Sequence, residues 1–236
     1  MSRSATAIAA FILAGLFALS PLFVTDFGGF DPAQFPVPQE DPAVQPAGYA
    51  FSIWGPIYLW LLVGLGFGLW KRRDDAQWHD MRLALIPSLG VGAVWLGVAV
   101  ASPVWASVLI WIMLVCALLA LFRAPLHDSW FAALPVGLYA GWLTAASCVS
   151  LGLLGAGYGF LSGTAAAIAA LLLALVIASA VQNQLMRTPS YGLAVVWALV
   201  AVVVENLGQA NMTVAALAAG GAVALLLPIY RAWRVA

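Results

Sequence analysis

The residues with the most chemical promise sit in one short stretch, Pro46-Ala47-Gly48-Tyr49-Ala50-Phe51-Ser52-Ile53-Trp54-Gly55-Pro56-Ile57-Tyr58. Phe51, Trp54 and Tyr58 are three and four apart, so a helix carries them on one face. Pro56 falls near the first turns of that helix, where it bends the axis and weakens a backbone bond. A ring-lined, slightly broken helix start can hold a flat apolar ligand. It supplies no acid, base or nucleophile.

The other reactive side chains do not converge. His79 and His127 are both expected in loops, and a metal site wants several His, Cys or carboxylate ligands together. Cys116 and Cys148 lie inside apolar runs and read as small core residues. Glu205 is the one ionisable residue placed within a span, near its outer end, and Asn206, Gln209 and Asn211 follow it. Two readings stand there: a wetted helix end, or a polar rim on an outer cavity. No serine has a base in arguable reach, and no glycine-rich phosphate loop follows a strand. The expectation is a protein that is not an enzyme and holds no metal.

Tryptophan is abundant, with eleven in 236 residues. Trp70, Trp78, Trp130 and Trp233 fit the aromatic belts found at headgroup depth. Trp54, Trp60, Trp95, Trp111, Trp142 and Trp197 lie further into apolar runs, where each indole N–H needs a partner. Several together could line a pocket.

The elements that must position these rings are membrane helices. The chain is 64% hydrophobic and 8% charged, against about 25% charged in a soluble domain. Its mean hydropathy is +1.02. Such a chain lacks the charge to cover a water-facing surface, and it shows no basic stripe for nucleic acid. Crossing the hydrocarbon core takes about 20 apolar residues. Eight windows satisfy this: 4–24, 49–70, 83–101, 104–122, 130–154, 161–181, 191–207 and 212–230. Arg3 before the first run also suits a signal peptide, but Pro21 disfavours cleavage after Ala18-Leu19-Ser20, and the run continues through Phe23 and Val24. It is therefore read as a span. Ser102-Pro103 makes a tight outer turn, and 155–160 reads as a turn.

With the N-terminus in the cytoplasm and eight spans, Arg3, Lys71, Arg72, Arg73, Arg82, Arg123, Arg187, Arg231 and Arg234 all fall inside. Asp26, Asp31, Glu40, Asp41 and Glu205 fall outside. The predicted fold is an all-α integral membrane bundle of about eight transmembrane helices with both termini cytoplasmic. The first outer loop, 25–48, is rich in Pro and Gly and stands as either a connector or a lid over an outward cavity. Small residues recur four apart at Gly64 and Gly68, Ala93 and Gly97, and Gly137 and Gly141, which suits close helix packing within the bundle or a dimer face.

At the Pro46–Tyr58 stretch the chain resembles the TspO/translocator protein family, also called tryptophan-rich sensory proteins. That family's second span opens Pro-Pro-Gly-Trp-x-Phe-Gly-Pro-x-Trp-x-x-x-Tyr. Pro46, Gly48, Tyr49, Phe51, Trp54 and Tyr58 match it, with Tyr49 in place of Trp and one residue missing between Phe51 and Trp54. A second match, Pro135 through Tyr139 and Trp142 to Ala145-Ala146, resembles the family's fifth span. Ser147 and Ser150 stand where relatives tend to carry a Leu-Asn pair, and the third span keeps only Trp95 of the family's positions. The resemblance is to a divergent, longer branch. It implies a five-helix core over 1–154, including the loop 25–48, with 155–236 as a three-helix extension in the same membrane domain.

The resemblance further implies a multi-pass protein of the bacterial cytoplasmic (inner) membrane. It implies binding of a porphyrin, another tetrapyrrole or a sterol-like molecule, with no obligatory cofactor, for sensing or trafficking. Tyr49, Phe51, Trp54, Tyr58, Trp95, Tyr139, Trp142 and Ala146 would line the pocket. Leu225, Tyr230 and Arg234 also fit a loose cholesterol-contact pattern, which an interface Tyr and a snorkelling Arg explain equally. Two other readings remain: an accessory subunit of a larger membrane complex, such as a pigment–protein assembly, and a small-solute transporter. The expected partners are the bilayer, a hydrophobic small molecule, and a second copy or a larger complex.

Overall fold

The computed structural model describes residues 2–24, 28–185 and 187–235. Among them are eight helices and no strand: α1 (Arg3–Leu19), α2 (Trp54–Lys71), α3 (Ala76–Ala101), α4 (Pro103–Phe122), α5 (Ala133–Gly157), α6 (Gly163–Gln184), α7 (Pro189–Gly208) and α8 (Met212–Arg234). All eight are long and apolar enough to cross a membrane, and the chain is a helical membrane bundle. An even number of spans brings both termini to one end, which also carries Lys71, Arg72, Arg73, Arg123 and Arg187 and is called here the basic end. The opposite end carries the long segment between α1 and α2 and is called the loop end. Asp26, one of the acidic residues expected there, lies outside the described residues.

Local chemistry sets the helix starts. Ser2, Asp75, Ser102, Ser162 and Asn211 each accept a backbone N–H of the following first turn, at α1, α3, α4, α6 and α8. Ser102 both ends α3 and caps α4, and Pro103 takes the first helical position, where its missing N–H costs nothing.

α5 is the axis of the bundle. In its most apolar window 78% of residues are buried, against 33–50% for the other spans. It is flanked by α2, α4, α6 and α7. Its small residues make this possible. A Cβ on Gly141 would run into the Tyr191 carbonyl, and one on Gly137 would approach Ser190 Oγ to 2.6 Å. Gly64 and Gly68 likewise meet Phe131 and the Trp78 ring. These repeats therefore serve packing inside the bundle, whereas Gly97 faces open space. Hydrogen bonds reinforce the contacts: Ser190 Oγ donates to the Leu134 carbonyl at 2.7 Å, Thr144 Oγ1 lies 3.0 Å from Tyr191 Oη, and Ser88 Oγ lies 2.8 Å from Tyr139 Oη.

Several expectations are corrected here. α3 begins at Ala76, seven residues before the expected span, so His79 and Arg82 are helical and not in a loop. Trp78 is fully buried and is no belt residue; its Nε1 donates to Asp128 at 2.9 Å. Arg82 is a buried ionisable group inside a span, stacked on the Trp78 ring and donating to the Arg72 carbonyl. α5 continues through Gly157, so 155–157 is helix and the turn follows it; Phe35 packs on Gly157 where a side chain would otherwise stand. Cys148 is buried as expected, but Cys116 is only half-buried. Pro56 is the third residue of α2, where the N–H would be free anyway, and the break lies just upstream as the 3-10 turn Gly48–Ile53.

Candidate ligand-binding site

Residues 28–53, between α1 and α2, form a folded strap and not a slack connector. Gln34 Nε2 donates to the α3 carbonyls of Ala99 and Val100, at 3.2 and 2.6 Å. The Val37 N–H donates to Gly157 of α5 at 2.9 Å, and the Ala47 N–H to Ala201 of α7 at 3.2 Å. From α7, Asn206 Nδ2 donates to the Ala43 carbonyl at 2.8 Å, and Trp197 Nε1 to the Ala50 carbonyl at 3.0 Å. These bonds tie the strap to α3, α5 and α7 across the loop end. Asn206 is fully buried as part of this clamp, whereas Glu205 beside it is partly exposed and accepts from Gln209.

Beneath the lid lies a cavity. The strap contributes Phe30, Val44, Gln45 and Pro46, and Phe51 closes the side towards α2. Trp95 of α3, Ile110 of α4, Trp142 and Ala146 of α5, Leu171 of α6 and Val202 of α7 are among the other walls. The unfilled space between these side chains and the mouth comes to about 800 Å³, but only about 80 Å³ is wide enough to seat water. The smaller figure governs binding without movement, and small-molecule sites usually offer about 300–1,000 Å³. The cavity is therefore too narrow for a ring system in this conformation.

The predicted site residues divide into three groups. Phe51, Trp95, Trp142 and Ala146 line the cavity. Trp54, Tyr58 and Tyr139 do not; they form an aromatic wall behind it around Phe17. Trp54 stacks on Tyr58 at 5.3 Å, and Phe17 meets Tyr58 edge-on at 5.0 Å and Tyr139 at 5.8 Å. The wall reaches the cavity through Trp142, whose ring is 6.1 Å from Trp54 and 5.9 Å from Phe51. Tyr49 is exposed at the rim and packs edge-on to Trp197 at 5.6 Å. Of the three residues predicted to share a helix face, Phe51 lies in the 3-10 turn before α2; Phe51 and Trp54 meet Trp142 of α5, whereas Tyr58 meets Phe17 of α1. The contributions of Phe30, Val44 and α6–α7 were not foreseen, because long-range packing of a loop leaves no local periodicity.

One polar group stands out. Trp142 is 2% exposed, and its Nε1 has no hydrogen-bond partner. The Trp95 Nε1, by contrast, donates to the Ala106 carbonyl at 2.8 Å, and Ser150 Oγ to Ser147. A buried unpaired donor carries a desolvation cost of about 1–3 kcal/mol.

At the basic end a second cluster ties helices together. Arg72 donates to both Asp128 oxygens, at 2.7 and 3.2 Å, and His127 Nε2 lies 3.2 Å from the same carboxylate. Burial alone would raise the Asp128 carboxyl. The hydrogen bonds from Arg72 and Trp78 and the neighbouring positive charge overcome this and hold it below the usual carboxylate range. Leu225 faces inward, while Tyr230 and Arg234 are exposed, so the loose cholesterol-contact residues do not share one surface.

Eight helices long and apolar enough to cross a membrane define a multi-pass membrane protein. The model of a family described as TSPO-like protein matches residues 5–230, from α1 into α8, and the chain belongs to that family. No curated protein and no solved structure matches the chain.

Proposed function

We propose that this TSPO-like protein binds a flat hydrophobic molecule, of the tetrapyrrole or sterol-like class, in the cavity under the lid, for sensing or trafficking and not for catalysis. The observation that carries this reading is the cavity under the strap, walled by Phe51, Trp95, Trp142 and apolar side chains. Flat rings match such walls by stacking and edge contacts, worth about 0.5–1.5 kcal/mol per aromatic pair beyond area burial. A carbonyl, carboxyl or ring nitrogen on the guest would accept from Trp142. The lid sits opposite the basic end. With basic residues cytoplasmic, the mouth opens towards the periplasmic side of a bacterial inner membrane. The narrowness of the cavity requires opening before binding, which suits a carrier or sensor whose lid reports occupancy.

The test is the absorbance spectrum of the full chain extracted in mild detergent from its native membrane, with its native mass. A pigment or porphyrin band that stays with the 24.7 kDa chain or its dimer supports the proposal. Pigment found only at a much larger mass would contradict it and favour an accessory subunit of a bigger assembly.

A further inference from the structure

At the basic end a groove opens between the start of α3 and the end of α4. Gln77, Asp80 and Leu83 of α3, Phe122 and Arg123 at the end of α4, and Leu126 and His127 of the loop that follows line about 830 Å³ of open space. It shares no residue with the cavity under the lid, which lies at the other end of the bundle.

Two opposite charges line this groove without neutralising each other. Among the described residues, neither the Asp80 carboxylate nor the Arg123 guanidinium makes a hydrogen bond or an ion pair. The charges nearby are engaged elsewhere. Arg72 is paired with Asp128, and His127 Nε2 lies 3.2 Å from Asp128 and 3.7 Å from Asp75.

The order of side chains along the two helices repeats the order of groups in a phospholipid. α3 enters the membrane from this end, and Leu83 lies three residues inward of Asp80, about 4.5 Å deeper at 1.5 Å per residue. α4 leaves the membrane here, and Phe122 lies just inward of Arg123. Leu83, Phe122 and Leu126 are all exposed. A charged tier therefore stands over an apolar tier on both walls. Trp70 and Trp130, exposed at the same end, mark headgroup depth.

The two charges select the headgroup. A simple anion is repelled by Asp80 and a simple cation by Arg123, whereas a zwitterion carrying phosphate and ammonium meets both. A guanidinium fork matches phosphate oxygens. A primary ammonium donates hydrogen bonds to a carboxylate, which a trimethylated one has no N–H to do. We infer that the α3–α4 groove is a binding site for a phospholipid with a phosphoethanolamine headgroup, in the leaflet at the basic end. Its phosphate accepts from Arg123, its ammonium donates to Asp80, and an acyl chain lies along Leu83 and Phe122.

The experiment compares dioleoyl-phosphatidylethanolamine with dioleoyl-phosphatidylcholine. The two share chains, phosphate and net charge, so the field of the surrounding arginines cancels in the comparison. The delipidated full chain in detergent is titrated with each lipid and read by native mass spectrometry. The wild type is expected to retain the ethanolamine lipid about threefold over the choline lipid. Asp80→Asn should bring the two lipids level. Arg123→Gln should weaken both, by about threefold, and keep the ethanolamine preference. Both side chains are exposed, so both variants keep the fold. Equal retention of the two lipids by the wild type would overturn the inference, as would an ethanolamine preference that Asp80→Asn leaves intact. Soluble glycerophosphoethanolamine, added as a competitor, should displace the lipid only weakly, because it has no chain to lie on Leu83 and Phe122. Displacement at equal concentrations would assign the groove to a water-borne zwitterion and overturn the lipid assignment.

Discussion

Two side chains carry most of the argument at the level of single residues. Trp142 is a donor without an acceptor, held between Phe51 and Trp54. Trp142→Phe keeps an aromatic ring, removes the N–H and leaves a smaller buried side chain. Porphyrin affinity should fall about three- to tenfold, the worth of one hydrogen bond, and the melting temperature should fall by a few degrees because the lost volume is not refilled. Isothermal titration and a thermal melt together check this. Asp128 gives a pH prediction. Its carboxyl is held below the usual range, so its contribution to stability is full above the unfolded value of about 3.9 and is lost as pH falls through the lower folded value. Asp128→Asn should therefore melt a few degrees below wild type from pH 7 to 5. The gap should close as pH drops below about 4, as melting curves across that range would record. Neither role was readable in the sequence. Trp142 was one of several deep tryptophans, and Trp78, which donates to Asp128, looked like a belt residue because polar neighbours Gln77, His79 and Asp80 surround it.

At the scale of elements, α5 and the lid decide the architecture. Gly141→Ala places a Cβ against the Tyr191 carbonyl and should destabilise by about 1–3 kcal/mol through forced separation of α5 and α7. Gly97→Ala, which meets nothing, should be neutral or gain about 0.5–1 kcal/mol from helix propensity. Detergent-resistance melts of the two variants side by side test the contrast. For the lid, Asn206→Ala removes the donor to Ala43 and should speed exchange of the Ala47 amide, which is bonded to Ala201. Ligand association should quicken with it, by hydrogen exchange and stopped-flow fluorescence. Spans were legible because twenty apolar residues have few alternatives in lipid. Their ends were less so. α3 runs on past its apolar stretch because Asp75 caps it and Gly68 gives Trp78 and Arg82 room to bury. α5 runs through a glycine-rich segment that reads as a turn because Phe35 of the strap fills the space beside Gly157.

For the whole molecule, the charge pattern and the family membership agree on a membrane bundle, and the matched stretch extends over the last three helices as well as the first five. Half of the predicted pocket residues line the cavity: Phe51 from the aromatic spacing at the start of α2, and Trp95, Trp142 and Ala146 from the family resemblance. Trp54, Tyr58 and Tyr139 form the wall behind, and the sequence held no sign of that depth, since both layers are equally aromatic. The α6 and α7 linings, including Leu171 and Val202, come from tertiary packing that a run of Ala, Leu and Val does not encode. The central claim is that the lid opens to admit one flat ring system against Phe51 and Trp142. The most direct test is a titration of the purified full chain with protoporphyrin IX, following tryptophan quenching in wild type and in Phe51→Ala. Saturable one-to-one quenching, weakened about tenfold in Phe51→Ala, is the predicted result. Quenching that never saturates, or an equal affinity in both proteins, would contradict it.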